Sequence, residues 1–182
     1  MSSRTEHSAS RSTATLYRHF TGRDDLARQV VDAMLAEITL DEARLAAEPW
    51  HQCVAHIAEE LFAALVRHEN VAALAVEQVP SGPHALKLRD RCTSVLLENG
   101  FSTAEAVQTY ATVARFVLGF GIQLRSESHR SPGIPEADGE RGDSTAGGVG
   151  SVPLVDEFGF GLHLVIAGLR TYRDRMDRRK GS

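Results

Sequence analysis

Apolar residues recur at steps of three and four along almost the whole chain, which is the spacing of α-helices rather than the alternation of β-strands. The first series consists of Leu26, Val30, Ala33 or Met34, and Ile38. It predicts one long helix over roughly residues 22–46, ending before Pro49. Asp24 and Asp25 fall in the first turn of this helix, where the helix dipole favours acidic side chains.

Three shorter helices are predicted in the middle of the chain. The first begins after Pro49, and its apolar series is Val54, Ile57, Leu61, Leu65 and His68. The second is an alanine-rich stretch over residues 71–79 that stops at Pro80, because proline cannot continue a helix. The third has Pro83 in its first turn and Gly100 just beyond its end, which are favoured places for these residue types.

A long helix is predicted over residues 103–127. It begins at a capping box formed by Ser102 and Glu105. One side of it carries Ala106, Tyr110, Val113, Val117, Phe120 and Leu124, and the other carries Val107, Ala111, Ala114, Leu118 and Gly121. A helix that is apolar on two sides requires two packing partners.

The final helix is predicted over residues 153–176. Its apolar series is Leu154, Phe158, Leu162, Val165, Leu169 and Tyr172. Gly161 and Gly168 would let another backbone approach it closely. Residues 129–152 are rich in glycine, proline, serine and acids, so they are predicted to form a mobile loop. The sequence shows no strand pattern, and the predicted fold is all-α.

Composition limits the domain count and the location of the protein. The length of 182 residues and the hydrophobic content of 42% allow one core with at most a small appended head. Residues 1–23 carry a net charge of +3 and residues 170–182 carry +4, so a polyanion would meet the ends of the chain first. Cys53 and Cys92 fit no disulfide framework, and neither a secretory signal nor a membrane-spanning apolar run is present. We therefore predict a cytoplasmic protein.

Hydroxyl, aromatic and basic residues are concentrated in the stretch STATLYRHFTGRDDL, residues 12–26. Ser12 can cap a short helix in which Leu16 and Phe20 face inward, four residues apart. The remaining surface of that helix carries Thr13, Thr15, Tyr17, Arg18 and His19. A helix in the major groove needs such groups for base edges and phosphates. A capped surface helix with a solvated face is the alternative that the chemistry leaves open.

The same fifteen residues resemble the end of the helix-turn-helix of the TetR family of bacterial transcriptional repressors, which reads approximately S-x-x-T-L-Y-x-H-F-x-x-K/R-x-x-L. The matching positions are Ser12, Thr15, Leu16, Tyr17, His19, Phe20, Arg23 and Leu26. The segments ENGFSTAEAVQTYATVARFVLGFGIQ and FGFGLHLVIAGLR are similar to the ligand-binding, dimer-forming part of the tetracycline-repressor-like branch. The resemblance implies a TetR-like helical bundle that regulates transcription from operator DNA under the control of a small, largely apolar effector.

The resemblance also assigns roles to individual positions. The DNA contacts would be Thr13, Ala14 and Thr15 on bases and Tyr17, His19 and Arg23 on phosphates. Candidates to touch the effector are aromatic or polar residues on otherwise apolar helices, namely Trp50, Phe62, Gln78, His84, Arg89, Cys92, Tyr110, Arg115 and Gln123. A homodimer would form through the last two long helices as a four-helix bundle, with Phe120, Phe158, Leu162, Val165 and Leu169 at the interface.

Family members place two further helices before the recognition helix, whereas eleven residues precede Ser12 here. The chain is interpreted either as starting downstream of the true start or as a natural form that has lost a working DNA head. Residues 1 to about 20 are then expected to be poorly ordered, and DNA affinity weak or absent. The predicted domains are a remnant of the head with its connecting helix, 1–46, and a ligand-binding and dimerisation domain, 47–182. The alternative function is a homodimer that binds a ligand or partner but not DNA.

Catalytic and metal-binding motifs are weak or missing. Cys53, His56 and Glu60 could point the same way from one helix as metal ligands, but a buried thiol beside a histidine is commoner and a fourth ligand cannot be named. The sequence contains no G-x-S-x-G elbow, phosphate-binding loop or H-E-x-x-H motif. We therefore predict no catalytic residue, no metal and no cofactor. The basic segment RTYRDRMDRRK is either a nonspecific DNA contact or a solvated helix end.

Overall fold

The computed structural model of the protein describes residues 22–77, 80–128 and 152–180. These residues form seven helices and no strand, which confirms the all-α prediction. The helices are α1 (Arg23–Ala36), α2 (Glu42–Ala47), α3 (Trp50–Arg67), α4 (Glu69–Glu77), α5 (Pro83–Glu98), α6 (Thr103–Ser128) and α7 (Leu154–Lys180). Helix α6 is central and packs against α3, α4, α5 and α7, whereas α1 lies on α4 and α5. The predicted mobile loop 129–152 lies outside the described residues, apart from Val152.

The prediction of a single helix over residues 22–46 is wrong, because two helices occupy this range. Helix α1 ends at Ala36, and Asp41 caps α2 by accepting a hydrogen bond from the Arg44 amide at 3.0 Å. This bond satisfies an amide at the start of the second helix, as capping side chains do. The chain therefore turns between residues 37 and 41 instead of continuing as one helix.

The buried side of α1 agrees with the prediction at Met34 and differs from it at Leu26 and Val30. Leu26 and Val30 are 41% and 36% exposed. The buried residues are Ala27, Val31, Met34 and Leu35. Both series have helical spacing, so the sequence alone does not show which side meets the core.

The helix ends predicted from capping residues are confirmed. The Ser102 amide donates to Glu105 Oε2 at 2.7 Å, and the Glu105 amide donates to Ser102 Oγ at 3.3 Å. Helix α6 begins directly after this capping box, at Thr103. Helix α5 begins at Pro83, and Gly100 follows its end with a φ of 79°. This left-handed conformation suits glycine, which has no β-carbon.

Four phenylalanines hold α7 against α3 and α6, and we call them the phenylalanine cluster. Phe158 of α7 stacks on Phe62 of α3, with ring centroids 3.8 Å apart. Phe116 and Phe120 of α6 each lie 5.6 Å from Phe158. Gly161 packs against the cluster, since a β-carbon there would come within 2.9 Å of the Phe116 ring. One side of α6 is therefore filled by its neighbours.

Candidate functional site

A cavity of about 450 Å³ lies on the other side of α6. Its walls are Val31, Met34 and Leu35 of α1, Leu61 of α3, Ala75 and Val76 of α4, Pro80, then Ala85, Leu86, Leu88 and Arg89 of α5, and Tyr110, Ala111, Ala114, Arg115, Leu118, Gly119 and Ile122 of α6. Val76, Leu86 and Ile122 are each more than a third exposed, so the cavity opens to the surface beside them. Small-molecule sites have volumes of about 300–1,000 Å³, and this cavity is within that range.

Small residues of α6 leave the space for this cavity. Ala111, Ala114 and Gly119 bring little or no side chain into it, and Leu118 and Ile122 complete the same wall. Ala111, Ala114 and Leu118 belong to the second apolar series predicted for this helix. These three members of the second series therefore face the cavity. The first series packs mostly into the core, although Tyr110 from that series also lines the cavity.

Three polar side chains line the cavity, and all three are among the predicted ligand contacts. Arg89 donates from Nε and Nη2 to Asp90 Oδ1, at 3.1 and 2.9 Å. Within the described residues, Arg115 forms no ion pair and the Tyr110 hydroxyl has no hydrogen-bond partner. Burial raises the pKa of Tyr110, so its hydroxyl stays protonated at neutral pH and is able to donate.

Most other predicted ligand contacts are not walls of this cavity. Trp50 packs edge-on against Phe101 at 4.9 Å, and Phe62 belongs to the phenylalanine cluster. Cys92 is buried in the core, where burial raises the pKa of its thiol to about 12. Gln123 is exposed on α6, and Gln78 lies outside the described residues. Choosing aromatic or polar residues on apolar helices therefore selected core and surface residues as well as residues that line the cavity.

His84, another predicted ligand contact, instead joins the start of α5 to α1. The Asp32 carboxylate of α1 accepts hydrogen bonds from the His84 and Ala85 amides at 2.9 and 3.2 Å, and its Oδ2 lies 2.8 Å from His84 Nδ1. Asp32 thereby caps α5 from another helix, because Gly82 at the cap position has no side chain. A β-carbon at position 82 would overlap the Asp32 carboxylate. We call Asp32, Gly82, His84 and Ala85 the α1–α5 clasp.

Asp32→Asn is expected to weaken the clasp in a pH-dependent way. Burial alone raises the pKa of this carboxyl, but the hydrogen bonds from His84 and Ala85 outweigh burial and hold the pKa below its ordinary value of 3.8. A carboxylate whose folded pKa is lowered stabilises the fold above its ordinary pKa and loses that contribution as the pH falls through the lowered value. The substitution should therefore reduce the free energy of unfolding by about 1 kcal/mol at pH 7 and by less near pH 3.

Urea unfolding at both pH values measures this difference. Asp24→Asn, in the exposed first turn of the same helix, is the matched control and should cost about 0.5 kcal/mol or less. An equal loss at both pH values for Asp32→Asn would contradict the role given to the ionised carboxylate.

Two of the five predicted dimer residues are buried inside the protomer, and the other three are half-buried. Phe158 and Leu162 are 4% and 3% exposed, because they pack in the core. Phe120, Val165 and Leu169 are half-buried beside the same core. The burial of Phe158 and Leu162 disagrees with an interface role, since so little of their surface is free to meet a partner.

Helix α7 exposes a different apolar stripe to the outside. Phe160 and Leu164 are 68% and 54% exposed, and Ala167 and Gly168 are exposed one turn further along. A β-carbon on Gly168 would have no neighbouring atom within 4 Å. We call these four residues the outer stripe of α7. Contiguous exposed apolar residues of this kind mark contact surfaces.

Arg23 is the one predicted DNA contact within the described residues. It is exposed and is the first residue of α1. The other predicted DNA contacts, Thr13, Ala14, Thr15, Tyr17 and His19, lie outside the described residues. From Arg23, α1 runs to the cavity, where its buried side forms one wall.

Two of the three residues considered as metal ligands, Cys53 and His56, contact protein groups. Cys53 Sγ donates to the Leu45 carbonyl at 3.3 Å, and His56 Nδ1 lies 3.2 Å from Arg44 Nη1. In the three described ranges, no group of three or more His, Cys, Asp or Glu residues is placed to hold a metal ion. The helices of those ranges also include none with the length and apolar character needed to cross a membrane.

Comparison with known proteins identifies the family. Residues 44–173 match the tetracyclin repressor-like C-terminal domain, and this range includes all of α3, α4, α5 and α6. The chain belongs to the TetR family. A curated relative of this TetR-family protein is an HTH-type transcriptional regulator from Saccharopolyspora erythraea, 29% identical over 105 residues. That match covers 58% of this chain and 44% of the relative, so the chain spans less than half of the relative's length.

Solved structures of other TetR-family proteins share the fold. A possible TetR family transcriptional regulator from Streptomyces coelicolor A3(2) is 26% identical, with a TM-score of 0.68 over 87% of this chain and 83% of its own. ActR from Streptomyces coelicolor, in complex with actinorhodin, is 24% identical, with a TM-score of 0.67 over 87% and 80%. A TetR variant from Acinetobacter baumannii AYE, in complex with minocycline, is 23% identical, with a TM-score of 0.63 over 88% and 79%. The chain therefore has the fold of TetR-family transcriptional regulators.

Proposed function

We propose that this TetR-family protein is a transcriptional repressor whose operator binding is controlled by a small molecule in the cavity. The observation that carries the proposal is the position of α1. Its first residue, Arg23, belongs to the predicted DNA-contacting stretch, and Val31, Met34 and Leu35 further along it are walls of the cavity. A ligand that displaces these walls also moves the end of α1 next to the DNA contacts. The affinities for ligand and DNA are then coupled.

The cavity suits a small, largely apolar effector. Its walls are mostly aliphatic or small, and Arg89, Tyr110 and Arg115 are polar points that fix the orientation of a ligand. ActR and the Acinetobacter TetR variant, which share this fold, were solved in complex with actinorhodin and minocycline. Those complexes support the proposal that the present chain also binds a small molecule, but they do not identify that molecule.

We propose a homodimer that forms through the outer stripe of α7. A two-fold dimer brings the same surface of both protomers together. The exposed side chains of Phe160 and Leu164 would then be buried in both protomers by the same contact. Gly168 has open space in front of it and permits close approach of a second helix. Two heads in such a dimer can read half-sites about one turn of DNA apart, roughly 34–36 Å.

A mobility-shift assay with DNA from upstream of the gene tests the proposal. It compares this chain with a longer one that begins at an upstream start codon. We expect the longer chain to shift the DNA, and Arg23→Ala to weaken that shift because it removes a phosphate contact. Failure of both chains to bind would contradict the repressor proposal and favour a homodimer that binds a ligand or partner without DNA.

A further inference from the structure

The charged groups on the cavity walls are both positive. Arg89 and Arg115 line the cavity, and no acidic residue of the described ranges is among its walls. The two arginines differ in their surroundings. The charge of Arg89 is compensated by Asp90, which accepts both of its hydrogen bonds, whereas Arg115 has no ion pair within the described residues. The cavity therefore presents one uncompensated positive charge.

Arg115 is placed so that a bound molecule would meet both its charge and an apolar wall. Ala111, Leu118 and Ile122 lie on the same side of α6, and all three are cavity walls. A guanidinium group forms paired hydrogen bonds with a carboxylate, sulfonate or similar planar acid. Arg115 is itself exposed, so such a pair would depend on its paired hydrogen bonds more than on exclusion of water.

We propose that the ligand of this cavity is a largely apolar organic anion whose acidic group pairs with Arg115. This inference rests on the proposed function, because it names the chemical class of the effector that the cavity takes. Asp90 already occupies the Nε and Nη2 groups of Arg89, so that arginine contributes less to anion binding. Removing Arg115 should abolish the preference for an anion, whereas removing Arg89 should reduce it less.

Two fluorescent dyes with the same aromatic skeleton test the inference. 8-Anilinonaphthalene-1-sulfonate carries an acidic group, and N-phenyl-1-naphthylamine is its neutral counterpart without the sulfonate. Fluorescence titration of the wild-type chain should show the sulfonate binding at least about tenfold more tightly than the neutral dye. Arg115→Met should bring the two dissociation constants within about twofold by weakening the sulfonate alone, and Arg115→Lys should retain part of the preference.

Matched variants locate the dyes and control for charge. Arg67→Met makes the same change of charge outside the cavity, at the end of α3, and should leave the ratio of dissociation constants unchanged. Ala111→Trp, or Ala114→Phe if the first variant does not fold, fills the cavity and should abolish binding of both dyes. Circular dichroism melting confirms that each variant is folded.

The outcomes separate this inference from the proposed function. Equal affinity of the wild type for the two dyes, or a sulfonate preference that survives Arg115→Met, would overturn the anion assignment while leaving the cavity as a ligand site. Absence of binding by either dye, or binding that persists in a folded cavity-filling variant, would count against the cavity as a ligand site and against the inference with it.

Discussion

Phe158→Ala should lower the free energy of unfolding by about 3–5 kcal/mol, which is the usual cost of deleting a buried aromatic side chain and leaving a void. Phe158 is 4% exposed and stacks on Phe62 at a centroid distance of 3.8 Å. Phe116 and Phe120 lose the same neighbour. Because whole domains are stable by only about 5–15 kcal/mol, this variant is expected to be close to the limit of folding.

Phe160→Ala is the matched control, because it removes the same group from the same helix at a position that is 68% exposed. Urea unfolding of both variants at several protomer concentrations measures the two effects. The loss at Phe158 should be the same at every concentration. The loss at Phe160 should be small at concentrations where the protein is monomeric, and larger at concentrations where the proposed dimer forms. A loss below about 1 kcal/mol for Phe158→Ala would contradict its place in the core.

Leu164→Asp should convert the protein from a dimer into a monomer. Because the proposed dimer is two-fold symmetric, the substitution would place one carboxylate from each protomer in the same apolar interface. Burying an unpaired charge is strongly unfavourable. Sedimentation equilibrium should give the wild type twice the protomer mass of 19.8 kDa, and the variant the protomer mass.

Val155→Asp is the control for the dimer experiment. Val155 is 55% exposed on the same helix, and nine positions of helix place it about 180° around the axis from Leu164. This variant should remain a dimer. Dissociation by Val155→Asp but not by Leu164→Asp would place the interface on the other side of α7, and a monomeric wild type would contradict the homodimer proposal.

The sequence predicted helix starts and ends well, because these depend on groups close together in the chain. Ser102 and Glu105 are three residues apart and cap α6 as expected. The sequence was less informative about which side of a helix is buried, because that depends on distant partners. Phe158 and Phe160 are two residues apart on α7, yet one is in the core and the other is exposed.

The candidate site was predictable in part for the same reason. Arg89, Tyr110 and Arg115 stand out as polar residues on apolar helices, and all three line the cavity. Ala111 and Gly119 carry no such signal, because a small residue leaves a space only when the neighbouring helices do not fill it. The pairing of Asp32 with His84, 52 positions later, could not be read from local patterns.

The first turn of α5 depends on a carboxylate that its own sequence does not supply. If α1 moves away from α5 by more than the length of a hydrogen bond, the amides of His84 and Ala85 lose their acceptor on Asp32 and meet water instead. Amide hydrogen exchange is fast for such unprotected groups and slow for bonded ones. The exchange rates of the His84 and Ala85 amide protons therefore report whether α1 remains in contact with α5.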